Sequence, residues 1–185
     1  MNTPLSRGKS TFIIVRPESE EYSRIFSISE EKARTVNGTP IIDLHLTVQA
    51  IRNVDDFQAL KKRLEEYCQT LQPFDITIRN IARMNVNNQQ GRLWMLAEKT
   101  PLLETMYNDL GQIAQEMGCE GYPYKAENWM PHIKIVELPE NTSTQIKDPT
   151  FGAGNGITFT IRNFEWTVQR GPENWDMIDR FPFPE

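Results

Sequence analysis

Two amphipathic helices, each preceded by a pair of strand-like segments, constrain this chain more than any other feature of its sequence. In VDDFQALKKRLEEYCQTL, apolar residues recur at three- and four-residue spacing from Val54 to Leu71, and TPLLETMYNDLGQIAQEMG has a similar period. Thr100 is a good N-cap for the second helix, Pro101 suits its first position and Gly118 ends it. Both helices are therefore predicted with defined ends.

The segments between and around these helices have the apolar, β-branched character of strands, in the order strand, strand, helix, strand, strand, helix, strand, strand. This alternation favours an α+β fold in which helices back antiparallel-rich sheets, and it hints at a duplicated unit. The charged segment ESEEYSRIFSISEEKARTV is predicted as an exposed helix pair or lid. The last segment, PENWDMIDRFPFP, is predicted as a tail that packs its aromatic side chains onto the sheet.

Composition narrows the class of protein. A length of 185 residues favours one domain or two small lobes, and the net charge of −5 argues against nucleic-acid binding driven by overall charge. An anionic ligand would need a local basic patch. Cys68 and Cys119 match no metal spacing, and the start of the chain lacks the apolar region of a signal peptide. These features predict a reduced, cytoplasmic protein, and no apolar run approaches the length of a membrane span.

The two histidines of the chain lie in matching local sequences, one in each half. In DLHLTVQA, residues 43–50, His45 and Thr47 share one strand face; in MPHIKIVE, residues 130–137, His132 and Lys134 do the same. Two histidines that face one cleft suit in-line displacement at phosphorus. One neutral imidazole can remove a proton from the hydroxyl or water that attacks phosphorus, while a protonated one delivers a proton to the leaving oxygen. Thr47 and Lys134 could donate hydrogen bonds to the phosphate oxygens.

Alternatives remain at this stage. Either histidine could be an ordinary strand residue in a structural protein. Two histidines are too few for a zinc site, which normally has three or four protein ligands. Asp43 shares a face with His45 and could orient its imidazole, although such neighbours often point to solvent instead. Among the aromatic residues near the second motif, Tyr124 and Trp129 are candidates for stacking on a nucleobase, against the alternative of loop packing.

The paired motifs resemble those of the two-histidine (2H) phosphoesterase superfamily, which includes RNA 2′,3′-cyclic phosphodiesterases and bacterial 2′-5′ RNA ligases. The mark of that family is a pair of H-x-[ST]-x tetrapeptides, one in each lobe of a bilobal α+β fold. HLTV, from His45 to Val48, fits it fully; HIKI, from His132 to Ile135, departs at Lys134. The preceding Pro131 is also typical of the family, and the order of elements matches across nearly the whole chain.

The resemblance implies a single bilobal domain over residues 1–185, with two antiparallel-rich sheets around a central cleft. It implies a metal-independent phosphoesterase without a cofactor, in which His45 and His132 are catalytic and Thr47 and Lys134 contact the phosphate. The expected substrate is a cyclic phosphate or phosphodiester of a nucleotide or RNA end. The chain is expected to be a monomer that binds neither membranes nor duplex DNA. A 2′-5′ RNA ligase and a non-catalytic module that binds nucleotides or RNA ends are the alternatives.

Overall fold

The computed structural model describes residues 10–86, 90–121, 126–139, 156–171 and 174–184. Three α-helices, a short 3₁₀ helix at Ala126–Asn128 and nine β-strands make up these ranges. In chain order the elements are β1 Thr11–Val15, α1 Ser19–Val36, β2 Thr39–Pro40, β3 Leu46–Ile51, α2 Phe57–Cys68, β4 Phe74–Val86, β5 Gln90–Ala97, α3 Pro101–Glu116, β6 His132–Glu137, β7 Ile157–Ile161, β8 Asn163–Gly171 and β9 Asn174–Pro182.

The two helices predicted from periodicity are α2 and α3. In α2 the side chain of Asp56 accepts hydrogen bonds from the backbone N–H groups of Gln58 and Ala59, which have no partner within the helix. In α3 the hydroxyl of Thr100 caps the first turn as predicted, and Pro101 follows it. The apolar stripes of both helices are buried, so local sequence alone defines these two elements.

The charged segment after β1 is not the exposed helix pair or lid that its composition predicts. It forms one helix, α1, which buries Ile25, Ser29, Ala33 and Val36 and packs against β6. Burial at three- and four-residue spacing shows a narrow stripe facing the sheet. The many charged residues between these positions conceal this stripe in the sequence. Asn37, with φ of 52°, ends the helix in the left-handed conformation.

The strands form one curled antiparallel sheet, in the order β7-β4-β5-β6-β3-β1-β8-β9, with the short β2 paired to β6. The predicted α+β class is confirmed. The two predicted sheets correspond to the two halves of this sheet. One half contains β7, β4, β5 and β6, the other contains β3, β1, β8 and β9, and the halves join where β3 meets β6. That junction contains a single registered pair, Leu46 opposite Ile133. Side chains from all three helices and from both central strands fill one apolar core.

The C-terminal segment, which the sequence predicts as a tail that packs its aromatic side chains onto the sheet, is a strand of the sheet itself. It forms β9, which pairs along its length with β8 and completes one edge of the sheet. Its phenylalanines Phe181 and Phe183 are buried, as expected of packing aromatic residues. Within the part of the chain that the structure describes, no helix is both long enough and apolar enough to cross a membrane.

Candidate active site

The junction of β3 and β6 brings the two histidine motifs together. Leu46 and Ile133 lie directly opposite each other, and both side chains are fully buried in the core. Successive side chains of a strand alternate between faces, so the residues on either side of this pair point to the other side of the sheet. We call that side the motif face. It carries His45, Thr47, His132 and Lys134.

The register fixes how these four residues are arranged. Continuing the antiparallel pairing from Leu46 and Ile133 places Thr47 opposite His132, and His45 opposite Lys134. The two histidines are then diagonal neighbours, whose separation in an antiparallel pair is about 7–8 Å. This spacing is suited to two imidazoles that act on opposite sides of one phosphorus atom.

His132 is held by a backbone contact and an aromatic ring. Its Nδ1 lies 2.8 Å from the carbonyl oxygen of Met130, so Nδ1–H donates there and Nε2 carries the lone pair. The indole of Trp94 stacks on the imidazole with ring centroids 3.5 Å apart and planes 7° from parallel. Burial, aided by the charges of Lys134 and His45, lowers the pKa of His132 to about 4, although the Met130 carbonyl acts in the opposite direction. The ring is therefore neutral at pH 7.

His45 has a similar backbone contact but a different electrostatic setting. Its Nδ1 lies 2.9 Å from the carbonyl oxygen of Asp43, and the carboxylate Oδ2 of the same residue is 3.5 Å away. The imidazole is 8% exposed, and the indole of Trp175 meets it edge-on with centroids 4.7 Å apart. Both Nδ1 atoms thus face backbone carbonyls, which leaves Nε2 as the reactive nitrogen of each ring.

Asp43 belongs to a series of ion-paired residues from neighbouring segments of the sheet. Its Oδ1 pairs with Arg16, whose Nε donates to Glu165 Oε2 at 2.7 Å. Arg180 donates to the other oxygen of Glu165 at 2.6 Å, and Glu165 is only 5% exposed. Burial raises the pKa of the Asp43 carboxyl, but its contacts with His45 and Arg16 outweigh that effect and the net pKa is lowered. Asp43 is therefore a carboxylate at neutral pH.

Of the two predicted stacking residues, Trp129 is not brought to this site. Trp129 is 8% exposed and its ring stacks on Tyr107 of α3, with centroids 4.7 Å apart. This burial removes Trp129 from the candidates for base stacking. Tyr124 lies outside the described residues. The aromatic rings beside the histidines are Trp94 and Trp175, which sequence reasoning missed, because their placement depends on the pairing of β5 with β6 and of β9 with β8.

The site also bears on metal binding. Among the residues that the structure describes, no three His, Cys, Asp or Glu side chains are grouped so that they could hold a metal ion. The chemistry that the motif face can perform with its own side chains is proton transfer by two imidazoles and hydrogen bonding to an anion by Thr47 and Lys134.

Several solved structures have the same fold as this chain. LigT of E. coli, solved in complex with 3′-AMP, aligns over 96% of this chain and 99% of its own, with a TM-score of 0.70 and 17% identity. TT0787 of Thermus thermophilus aligns over 94% of this chain and 97% of its own, with a TM-score of 0.66 and 14% identity.

Usb1 of Kluyveromyces marxianus aligns over 97% of this chain and all of its own, with a TM-score of 0.62 and 9% identity. By contrast, no protein-family model and no curated protein matches the sequence. These solved structures share the fold of this chain at identities too low for overall sequence similarity to reveal it.

Proposed function

We propose that the protein is a metal-independent phosphoesterase that hydrolyses a cyclic phosphate or phosphodiester of a nucleotide or RNA end. The observation that carries this proposal is the pairing of Leu46 with Ile133, because each of these residues is the direct chain neighbour of one histidine. Each ring is turned by a backbone carbonyl bound at Nδ1, so that Nε2 is the nitrogen available for proton transfer. This arrangement matches the demands of in-line displacement at phosphorus, where one group removes a proton and another supplies one.

In the proposed reaction a water molecule attacks phosphorus while Nε2 of neutral His132 removes its proton. The bond between phosphorus and the leaving oxygen of the ribose breaks, and Nε2 of protonated His45 gives its proton to that oxygen. The products are a phosphate monoester and a free hydroxyl. His132 is then protonated and His45 neutral, and exchange of protons with solvent restores the starting state. The lowered pKa of His132 supports its assignment as the base.

Thr47 and Lys134 are proposed to bind the non-bridging oxygens of the phosphate. If the antiparallel register continues from Leu46 and Ile133, Thr47 lies opposite His132 and Lys134 opposite His45, which supports a hydrogen-bond donor beside each histidine. The hydroxyl donates a neutral hydrogen bond, and the ammonium donates a stronger, charge-assisted one. Together they would hold the phosphorus between the two imidazoles.

A nucleotide or RNA end is the proposed substrate class, on two grounds. LigT has been solved with 3′-AMP and with ATP, and its fold is the fold of this chain. Two tryptophans, Trp94 and Trp175, lie against the proposed catalytic imidazoles, where an aromatic surface next to a phosphate site suits a nucleoside. Cys68 and Cys119 are both free and buried, which is consistent with the proposed cytoplasmic location.

A screen of nucleoside 2′,3′-cyclic phosphates and of oligonucleotides with cyclic ends tests the proposal. Each substrate would be incubated with wild-type protein and with a variant that lacks both histidines, and the products would be separated and identified as 2′- or 3′-phosphates. Turnover by the wild type alone is the expected result. Binding of these ligands without turnover would instead support a non-catalytic module, which the departure at Lys134 favours; formation of a new 2′-5′ bond would support a ligase.

Activity is expected to survive complete chelation of divalent metals. The proposed mechanism assigns both proton transfers to histidines and the phosphate contacts to Thr47 and Lys134, so no step uses a metal ion. Hydrolysis would be measured before and after dialysis against EDTA, with a metal-dependent phosphodiesterase treated in parallel to prove that chelation is complete. Loss of activity that zinc or magnesium restores would overturn the mechanism.

The pH dependence of kcat/KM should reveal the unusual environment of His132. A base works only when unprotonated, and burial together with the charges of Lys134 and His45 lowers the pKa of His132 to about 4. Activity should therefore persist as the pH falls below about 6.5, the reference value for histidine, and should be lost only near pH 4.

The loss of activity at low pH is the acidic limb of the profile, and circular dichroism at each pH would distinguish it from acid unfolding. In Lys134→Met the acidic limb should move to higher pH, because the ammonium is one of the charges that disfavour protonation of His132. An acidic limb near the reference value in the wild type would contradict the assignment of His132 as the base.

A further inference from the structure

We propose that Asp43 is a positioning residue that prepares His45 for its role as the acid, and that Arg16, Glu165 and Arg180 hold Asp43 in place. This inference rests on the proposed function and deepens it, because it explains how two similar histidine motifs acquire opposite roles. Asp43 does not contact the reacting phosphate in this proposal. It acts only through the imidazole of His45.

Asp43 makes two different contacts with the same ring nitrogen. Its backbone carbonyl oxygen lies 2.9 Å from His45 Nδ1 and fixes the tautomer, so that the exchangeable proton of the reaction is carried on Nε2. Its carboxylate Oδ2 lies 3.5 Å from the same Nδ1 and places a negative charge beside the ring. A negative charge at this distance favours the imidazolium over the neutral imidazole.

The ion pairs of Asp43 explain why its Oδ2 remains directed at the imidazole of His45. Arg16 occupies the other oxygen, Oδ1, from the end of β1. Oδ2 is itself buried and, among the described residues, has no hydrogen-bond partner, while Nδ1 of His45 lies 3.5 Å from it. A buried carboxylate in this state is costly unless it is paired on another side. Arg16 supplies that pairing.

Arg16 is in turn fixed by Glu165, which is nearly fully buried in β8. The second oxygen of Glu165 accepts from Arg180 in β9. Negative and positive groups therefore alternate along the series Asp43, Arg16, Glu165 and Arg180, and their formal charges cancel. Such compensation allows a set of poorly solvated charges to remain ionised and keep a fixed geometry.

His132 has the same kind of carbonyl contact but a different neighbourhood. Its ring stacks on Trp94, and the charges that act on it, those of Lys134 and His45, are positive. The charged and titratable groups around His45 come from several elements. They are Asp43 on its own segment, Arg16 after β1, Lys134 and His132 from β6, and, through Arg16, Glu165 and Arg180. On β9 the exposed Asp176 follows Trp175. Of the two rings, only His45 has a carboxylate oxygen at its Nδ1 among the described contacts.

The proton balance is simple. When the leaving oxygen separates from phosphorus, Nε2 of the His45 imidazolium gives up its proton and the ring becomes neutral. Nδ1–H remains bound to the carbonyl of Asp43, and the carboxylate takes up no proton. The contribution of the carboxylate is therefore to the population and orientation of the acid, before the chemical step.

Replacing Asp43 by asparagine tests the proposal, since the amide keeps the backbone carbonyl and removes the charge. We expect kcat for a cyclic phosphate to fall about tenfold with KM nearly unchanged, because one supporting group of a general acid is lost. The acidic limb of kcat/KM, which reports His132, should stay in place. Asp109→Asn is the matched control, because Asp109 accepts a hydrogen bond from Tyr67 between α2 and α3.

A substrate with a p-nitrophenolate leaving group supplies a second readout. This group leaves without protonation, so Asp43→Asn and His45→Ala should both recover most of the wild-type rate on it, while His132→Ala should not. Since the chain has only two histidines, the NMR signals of the imidazoles give a third readout that needs no activity. The signals of His45 should move in Asp43→Asn, which removes the charge 3.5 Å from its Nδ1, and stay unchanged in Asp109→Asn.

The outcomes separate this inference from the proposed function. If neither histidine variant affects turnover of any cyclic phosphate, the proposed function fails. If both histidines matter but Asp43→Asn keeps the wild-type kcat and the wild-type NMR signals of His45, only the role of Asp43 fails. Arg16→Met should reproduce the defect of Asp43→Asn, and the double variant should be no worse than either single one. Should Arg16→Met fail to fold, Asp43→Asn alone decides.

Discussion

Replacing either His45 or His132 by alanine is expected to lower the turnover of a cyclic phosphate by about 10²–10⁴-fold, the usual contribution of one general acid or base. Each histidine directly precedes one member of the registered pair Leu46 and Ile133, and in the proposed mechanism both rings serve the same phosphorus. The double variant should lose less than the product of the two single losses, since the two groups act in one concerted displacement. Steady-state kinetics on purified variants would measure all three values.

Folding must be separated from chemistry in this experiment. His132 stacks on Trp94 and His45 packs against Trp175, so alanine leaves space beside a large ring in both cases. Glutamine variants fill more of that space and cannot act as acid or base at neutral pH. Near-wild-type melting temperatures together with the same loss of turnover would support the assignment. Full activity in any single variant, alanine or glutamine, would refute it.

Lys134 is the residue with the second-largest expected effect. Replacing it by methionine keeps the length of the side chain and removes its charge, and should weaken ligand binding or catalysis by about 1–3 kcal/mol, the cost of losing a partner of a charged group. Stability of the fold should change little, because Lys134 lies on the motif face while Ile133 and Ile135 on either side fill the core. Titration calorimetry with a nucleoside phosphate and kinetics with a cyclic one would measure the two effects.

Two further variants sharpen this result. Lys134→Thr restores the hydroxyl that the resembling family has at this position and should recover part of the loss. Lys62→Met is the matched control, because Lys62 is 78% exposed on α2 and pairs with Glu66 one turn along. If Lys134→Met and Lys134→Thr both bind and turn over like the wild type at low and at high salt, the phosphate contact proposed for Lys134 is wrong.

The parts of the fold that local sequence determines were predictable, and those that depend on distant partners were not. The periodicity of α2 and α3 and the capping residue Thr100 identified both helices. In α1 the buried positions are Ile25, Ser29, Ala33 and Val36, and two of these four are small or polar, so the stripe carries little hydrophobic signal. The edge strand β9 is recognisable only from its pairing with β8.

The same distinction applies to the candidate site. Strand alternation predicted that His45 shares a face with Thr47, and His132 with Lys134, because the members of each pair are two residues apart. The pairing of Leu46 with Ile133 was not predicted, since no local rule specifies a pairing between such distant segments. Trp94, Trp175 and the charged residues that support Asp43, which are Arg16, Glu165 and Arg180, were missed for the same reason. Each of these contacts joins residues from different strands whose order in the sheet cannot be read from spacing.

The position of β1 in the sheet makes the candidate site dependent on nearly the full length of the chain. β1 pairs with β3 on one side and with β8 on the other, so Thr11 lies opposite both Ile51 and Val168. During synthesis the first histidine strand emerges early, but Glu165 and Arg180, which fix its charged support, emerge last. Contacts of such long range form slowly, because a large loop must close first. A nascent or C-terminally shortened chain would thus hold both histidines and still lack the scaffold that orients one of them.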